Sequence, residues 1–284
     1  MRKKSLKTIA IAICILFVYF IVRTSNLAAL QTNKSSNISK AEDFAFRTLK
    51  NNAFSYGERL EYTVLYSFVK AGTGYFQILP RPVYHNNREC YDIRFQVNSM
   101  KSLEWIYKVR DAYQTALDVQ GLFPWEFQQR IREGGYKRDY KASFDQVNNF
   151  AIAGEKKIKI PEYVHDIVSA FYYVRTLDIA AMKRGELLQL KNFFKDSTWN
   201  LGVKYLGKQT IEAKAGKFRC LVIEPLVSEG GLFKSEGKIL IWLSDDENKI
   251  PVKVSTKILI GNVYAELEKY SGLKNPTKAR IYDK

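Results

Sequence analysis

The chain has 284 residues, of which 46% are hydrophobic and 14% aromatic. It can therefore bury a large core, and its composition excludes an intrinsically disordered protein. The formal net charge is +16, which favours contact with anionic lipid headgroups or acidic glycans. Most lysines and arginines alternate with apolar residues, as expected for the solvated outer faces of strands.

The first 30 residues have the pattern of an export signal. A basic start, Met1 to Lys4 with Lys7, precedes an apolar run from Ile9 to Val22. This pattern predicts export to the periplasm or cell envelope, where nucleic acid is not an expected partner. No clean cleavage site follows, so the segment is either removed or retained as an uncleaved anchor in the inner membrane.

Composition divides the rest of the chain into three parts. Residues 31–54 are rich in Ser, Asn and Lys at first and are predicted to be a polar linker. Residues 55–270 are predicted to form a single β-rich domain. Residues 271–284 are polar and basic, and we expect a loose tail.

Strands are predicted from strict alternation of apolar and polar residues. In the first strand, Leu60, Tyr62, Val64, Tyr66 and Phe68 share one face, and Ala71 to Gly74 are expected to form the following turn. The same alternation predicts further strands at 75–79, 91–97, 105–110, 113–119, 125–131, 136–144, 157–160, 187–194, 199–205, 218–224, 238–243, 250–260 and 263–270. About a dozen strands with short turns indicate a mainly β fold, an antiparallel meander closed into a barrel or strongly curved half-barrel.

One helix interrupts the strands, within Pro161 to Ala181. Val164, Ile167, Val168, Phe171 and Val174 follow helical spacing. Asp166 is a candidate N-cap, and Arg175 stands near the other end, where a cation complements the helix dipole. We expect this short helix to cover one face or the mouth of the curved sheet.

The inward positions of the strands are rich in aromatic residues. Such rings either line a cavity for an apolar ligand or simply fill the core. If a cavity exists, Tyr62, Tyr66, Phe171 and Arg175 are the candidate ligand-binding residues. Arg175 has two possible roles: a structural partner for strand carbonyls or a carboxylate, or an anchor for an anionic headgroup at the cavity mouth.

The remaining residues with reactive side chains form no known motif. Cys90 and Cys220 lie in separate predicted strands, where they either form one disulfide or remain buried thiols. The two histidines, His85 and His165, have no partner at a metal-binding spacing, and no nucleophile or phosphate-loop signature is present. The sequence therefore predicts no metal and no cofactor, and an enzyme is the third hypothesis only.

Three segments resemble the bacterial domain-of-unknown-function family 3108: GERLEYTVLYSFVKAGTG (Gly57 to Gly74), DIVSAFYYVRTLDI (Asp166 to Ile179), and GGLFKSEGKILIWLSDDENKIPVKVSTKILIG followed by VYAELEKY. The resemblance spans about Ser55 to Tyr270. It implies an exported protein of a bacterium with an outer membrane, and it implies no activity. More loosely, the pattern is similar in fold to lipoprotein-carrier and lipocalin-like envelope proteins, an analogy that cannot establish function.

The first functional hypothesis is therefore an envelope protein that holds a lipid or other amphiphile in a curved β-sheet. The alternative is a structural or scaffolding envelope module that binds a protein, an acidic glycan or an anionic membrane surface through its basic face.

Overall fold

The computed structural model describes residues 44–227, 239–257 and 261–282. The predicted export signal and residues 31–43 of the predicted linker lie outside this part. The strands are β1 (Arg59–Tyr66), β2 (Val69–Ile78), β3 (Val83–His85), β4 (Arg88–Ser99), β5 (Arg110–Asp118), β6 (Pro124–Glu133), β7 (Tyr136–Asp145), β8 (Phe150–Ala153), β9 (Lys156–Lys159), β10 (Leu187–Phe194), β11 (Ser197–Ala213), β12 (Gly216–Val227), β13 (Ile239–Ser244), β14 (Pro251–Lys257), β15 (Asn262–Ser271) and β16 (Arg280–Ile281). The α-helix, α1, runs from Ile167 to Thr176.

All sixteen strands belong to one antiparallel sheet. Its order is β10-β11-β12-β13-β14-β15-β1-β2-β4-β5-β6-β7-β8-β9, with β3 paired to β4 and β16 paired to β12. Most neighbours in space are also neighbours in sequence, as in a meander. The exceptions are the pairings of β2 with β4, of β16 with β12, and of β15 with β1, the last of which joins the two halves of the chain. The predicted fold class, mainly β with a strongly curved antiparallel sheet, is confirmed.

No backbone ladder joins the edge strands β9 and β10 within the described residues, so the sheet is a curved half-barrel. Side chains bring these edges together. The Tyr140 hydroxyl of β7 donates to Asp196 at 2.9 Å, and Lys156 of β9 pairs with the same carboxylate at 2.8 Å. The Phe144 and Phe193 rings meet at 5.6 Å. Curvature thus brings the edges within side-chain reach without hydrogen bonds between their backbones.

Helix α1 packs on the inner face of the sheet. Asp166 caps its N-terminus, because its carboxylate accepts the Val168 and Ser169 amides at 2.8 and 3.0 Å. The same carboxylate accepts the hydroxyl of Thr115, on β5, at 2.7 Å. The predicted cap is therefore present. The buried face differs from the prediction: Tyr172 is fully buried, whereas Phe171 is only half-buried.

The folded unit extends beyond residues 55–270 at both ends. In the predicted linker, Phe54 is fully buried, and its ring meets that of Tyr172 at 4.9 Å. The predicted loose tail contains β16, whose residues pair with Lys217 and Phe218, and Ala279 is fully buried. Both segments carry apolar side chains that the core accommodates, so these boundaries differ from the prediction. The single-domain assignment stays a prediction.

Two strand predictions are wrong at the same end of the sheet. β1 stops at Tyr66 because Ser67 adopts a positive φ of 54°, and Phe68 is 97% exposed in the turn. The predicted strand at 105–110 is mostly a loop that follows a short 3-10 turn. The predicted turn at Ala71 to Gly74 lies within β2, where Gly72 is needed because a Cβ there would lie 2.5 Å from the Asn98 carbonyl oxygen.

Candidate functional site

The inner face of the sheet carries a continuous band of aromatic rings, one from each of six neighbouring strands. The band runs through Tyr62, Phe76, Phe95, Tyr113, Phe127 and Tyr140. Consecutive ring centroids lie between 4.3 and 6.5 Å apart. Period-2 alternation turns one ring of each strand inward, and the strand register aligns them. The inner face is therefore apolar over about half of the sheet.

Two of the predicted ligand-binding residues, Tyr62 and Phe171, lie in or against this band. Tyr62 is buried, and its hydroxyl donates to the Pro251 carbonyl at 2.9 Å. Phe171 stacks on Phe76 at 5.0 Å, which adds a ring from α1 to the band. Tyr66 is half-buried at the end of β1. The band and α1 thus bring Tyr62 and Phe171 together through Phe76.

Arg175 has a different environment from the one its headgroup role requires. Its guanidinium is fully buried and forms two bonds of 2.7 Å to the Glu58 carboxylate. It also donates to the Asn248 carbonyl at 3.1 and 3.0 Å. Burial by itself would lower the pKa of Arg175, but Glu58 raises it above the ordinary value. The guanidinium is charged and fully engaged, so the geometry favours the structural role of Arg175 over the headgroup anchor.

An acidic pair lies at the other end of the inner face. Asp111, on β5, and Glu133, at the end of β6, are 2% and 6% exposed. The two buried carboxyls lie close enough to interact, and the repulsion between their charges favours a proton on one of them. Burial, followed by the charge of Asp111, raises the pKa of Glu133 to about 9. Burial also raises the pKa of Asp111, whose carboxylate accepts the Arg132 amide at 2.8 Å. Glu133 is therefore the neutral partner at neutral pH.

The Tyr113 hydroxyl lies between this acid pair and the aromatic band. It is buried and approaches Gln129 without a hydrogen bond of normal geometry. Burial, together with the charge of Asp111, raises the pKa of Tyr113 well above its usual range, so the hydroxyl keeps its proton. A buried donor without a partner costs about 1 to 3 kcal/mol. This hydroxyl is therefore a candidate contact for the polar part of a ligand.

Sequence reasoning missed Asp111, Tyr113 and Glu133. A signal was present, since Asp111 and Tyr113 share the inward face of one strand, as do Ile131 and Glu133. A carboxylate at an inward position is unusual for a core strand. Only the strand register shows that the two carboxyls meet.

The cysteines are free and buried in this structure, so the disulfide is absent. Cys90 lies on β4 and Cys220 on β12, and these strands are not neighbours in the sheet. Burial raises the pKa of each thiol to about 12. Both therefore behave as apolar core residues, the second alternative of the sequence analysis.

The described residues form neither a metal-binding cluster nor a membrane-spanning helix. Within residues 44–227, 239–257 and 261–282, no group of three or more His, Cys, Asp or Glu side chains could hold a metal ion. No helix in this part is long and apolar enough to cross a membrane. His165 is buried, and desolvation lowers its pKa to about 3, so it is neutral.

The outer face of β4 to β7 carries a polar groove of about 530 Å³. Its cations include Arg94, Arg130 and Lys141. Arg94 pairs with Asp92 at 2.9 Å, and Lys141 pairs with Glu126 at 2.7 Å. Since these neighbouring acids offset its positive charge, the groove is a weak match for a strongly acidic ligand.

Fold and site together define a β-rich protein with a curved, aromatic-lined inner face. The chain belongs to the family DUF3108, proteins of unknown function, whose model matches residues 61–268. No curated protein matches significantly.

Solved structures of three proteins resemble the chain at low identity. One is a β-barrel-like protein of the domain of unknown function DUF1849 from Brucella abortus, with 12% identity, a TM-score of 0.49, and coverage of 81% of this chain and 100% of that one. Another, from Bacteroides fragilis, is described provisionally as exported, with a YmcC-like fold; it has 12% identity, a TM-score of 0.29, and coverage of 80% and 100%. The hypothetical protein CT021 from Chlamydia trachomatis has 8% identity, a TM-score of 0.32, and coverage of 81% and 93%.

Proposed function

We propose that this protein is an exported envelope protein that binds a lipid or other amphiphile on the inner face of its curved sheet. The observation that carries the proposal is the aromatic band, in which the Tyr113 hydroxyl is buried without a hydrogen-bond partner near the buried pair of Asp111 and Glu133. An amphiphile has the same division into an apolar part and a polar part. The band provides apolar contact, and the polar end provides hydrogen bonds.

The protonation states of these buried side chains limit the kinds of polar group that the ligand could present to them. The Tyr113 hydroxyl is a hydrogen-bond donor, whereas the neighbouring Asp111 carboxylate would repel an anion. The arrangement is best suited to a neutral or zwitterionic group with an acceptor oxygen, such as an ester or an amide carbonyl.

Mass spectrometry of organic extracts tests this proposal on the full chain purified from cells. The wild type should carry a defined amphiphile. Tyr113→Phe, which removes one donor and keeps the ring, should carry about three- to tenfold less. Tyr84→Phe is the matched control, since Tyr84 is 67% exposed at the opposite end of the sheet. Because every variant has the same N-terminal apolar run, lipid held by that run cancels. Equal lipid in all three proteins, or none, would refute the proposal.

Export rests on the basic and apolar pattern of residues 1–22. Cell fractionation should place the protein in the periplasm or envelope. The intact mass of the recovered chain distinguishes cleavage of the segment from its retention as an anchor.

The scaffolding alternative depends on the outer groove with Arg94, Arg130 and Lys141, although neighbouring acids offset part of its positive charge. A salt-sensitive pull-down of a protein or glycan, lost on Arg130→Glu and accompanied by no extracted lipid, would support that alternative.

A further inference from the structure

The end of the sheet opposite α1 presents two exposed aromatic side chains on neighbouring turns. Phe68 is 97% exposed and Trp105 is 78% exposed. They are the two most exposed large hydrophobic side chains of the described residues. Large apolar side chains exposed on adjoining segments of a monomer are candidates for an interaction surface. We call residues 67–69, 100–109 and 134–135 the rim.

Backbone hydrogen bonds hold the rim together. The Met100 amide donates to the Ala71 carbonyl at 2.9 Å, which joins the long loop to the start of β2. The Gly134 amide donates to the Lys108 carbonyl at 2.8 Å, which joins the same loop to the β6–β7 turn. Ser67 donates to the Asn262 carbonyl at 2.8 Å. The exposed rings therefore stand on turns that are fixed to the sheet and to each other.

The charge of the rim is positive. Lys101 and Lys108 are exposed, and neither pairs with an acid within the described residues. Of the acids in and next to the rim, Glu104 pairs with Arg110, and Asp111 and Glu133 are buried beside each other. The edge that carries the rings therefore also carries two exposed lysines without acidic partners among the described residues.

We propose that the rim docks on the surface of an anionic phospholipid membrane. Trp and Phe are suited to the headgroup boundary, where an apolar ring can leave water, and lysines beside them are attracted to anionic headgroups. The combination of exposed rings and unpaired cations on one fixed edge meets both requirements. This inference goes beyond the proposed function, since it does not depend on the inner face holding a ligand.

The test uses Trp105 as its own probe in the full chain. Vesicles are prepared from phosphatidylglycerol and phosphatidylethanolamine, or from phosphatidylcholine alone, with bromine-labelled acyl chains that quench tryptophan on contact. The emission that Trp105 contributes is the difference between the wild type and Trp105→Phe. It should be quenched in the anionic vesicles, and high salt or phosphatidylcholine vesicles should abolish the quenching. The N-terminal apolar run is common to all variants and does not report through Trp105.

Two rim variants and two matched controls sharpen the test. Phe68→Ser should weaken partition into anionic vesicles on the order of tenfold, since it removes one ring that would leave water on docking to the membrane. Lys101→Glu should weaken it about fivefold or more. Tyr84→Ser and Lys217→Glu, exposed residues at the other end of the sheet, should leave it unchanged.

Three outcomes would overturn the proposal. Quenching that is equal in anionic and zwitterionic vesicles would show that charge is not recognised. No quenching in either would show that Trp105 does not reach lipid. Loss of a bound protein in the rim variants, without lipid contact in the wild type, would make the rim a protein interface. Lipid on the inner face, measured by extraction, is independent of all three.

Discussion

The two ends of the sheet differ in the burial of their charged and aromatic side chains. At the helix end, Arg175 and Glu58 form a fully buried ion pair, and Phe54 and Tyr172 pack around it. At the rim, Phe68 and Trp105 project into water beside lysines without acidic partners. Buried charges must be paired, whereas exposed charges need no partner. The helix end therefore contributes to stability, and the rim is the end available for an interaction.

The largest effect is expected from Arg175→Ala, which leaves the Glu58 carboxylate buried without its partner. We expect a loss of about 3 to 5 kcal/mol in the free energy of unfolding, measured by urea denaturation. Arg130→Ala is the matched control, because the side chains of Arg130 and its partner Asp139 are 71% and 67% exposed. It should cost less than about 1 kcal/mol. Equal losses in the two variants would contradict the role of Arg175 as the buried link between α1 and β1.

The acid pair beneath the rim should make stability depend on pH. Glu133 has a pKa of about 9 in the folded chain, above its ordinary value near 4.3 when unfolded. The folded state binds more protons between these values, so stability should fall as pH rises from about 5 to 9. Glu133→Gln should remove part of this slope and should gain about 1 to 3 kcal/mol over wild type at pH 9. Urea midpoints at several pH values measure the effect, and parallel pH profiles would contradict it.

A smaller effect is expected at the start of α1. Asp166→Ala removes a cap that accepts two backbone amides and the Thr115 hydroxyl. The loss should be about 1 to 2 kcal/mol in urea denaturation. Asp166→Asn keeps an acceptor for the amides and should cost less than Asp166→Ala. If the two variants were equally destabilised, the cap would not be the reason.

The smallest effect on stability should come from the rim itself. Phe68→Ser and Trp105→Phe change exposed side chains, so the free energy of unfolding should differ from that of the wild type by no more than about 0.5 kcal/mol. Circular dichroism on heating provides the measurement. A clear loss of stability would mean that these rings pack in solution, and it would remove the contrast between the two ends.

Local patterns predicted most of the strands and the helix cap, because alternation and capping depend on residues only a few positions apart. They were weakest where alternation continued past a real strand end. Phe68 keeps the period of β1, yet Ser67 at a φ of 54° has already turned the chain. Alternation at 105–110 likewise continued through a loop held by contacts with β2 and the β6–β7 turn.

The sequence by itself determined a mainly β chain with one short capped helix, since side-chain periodicity and N-capping depend on residues that are close together in the sequence. Only the tertiary structure decided which distant residues meet. Arg175 pairs with Glu58, which lies 117 positions away in the sequence. Asp111 meets Glu133 only because β5 and β6 pair as they do, and Cys90 and Cys220 stay apart because their strands are not neighbours. These outcomes depend on strand order and curvature, which no local pattern encodes.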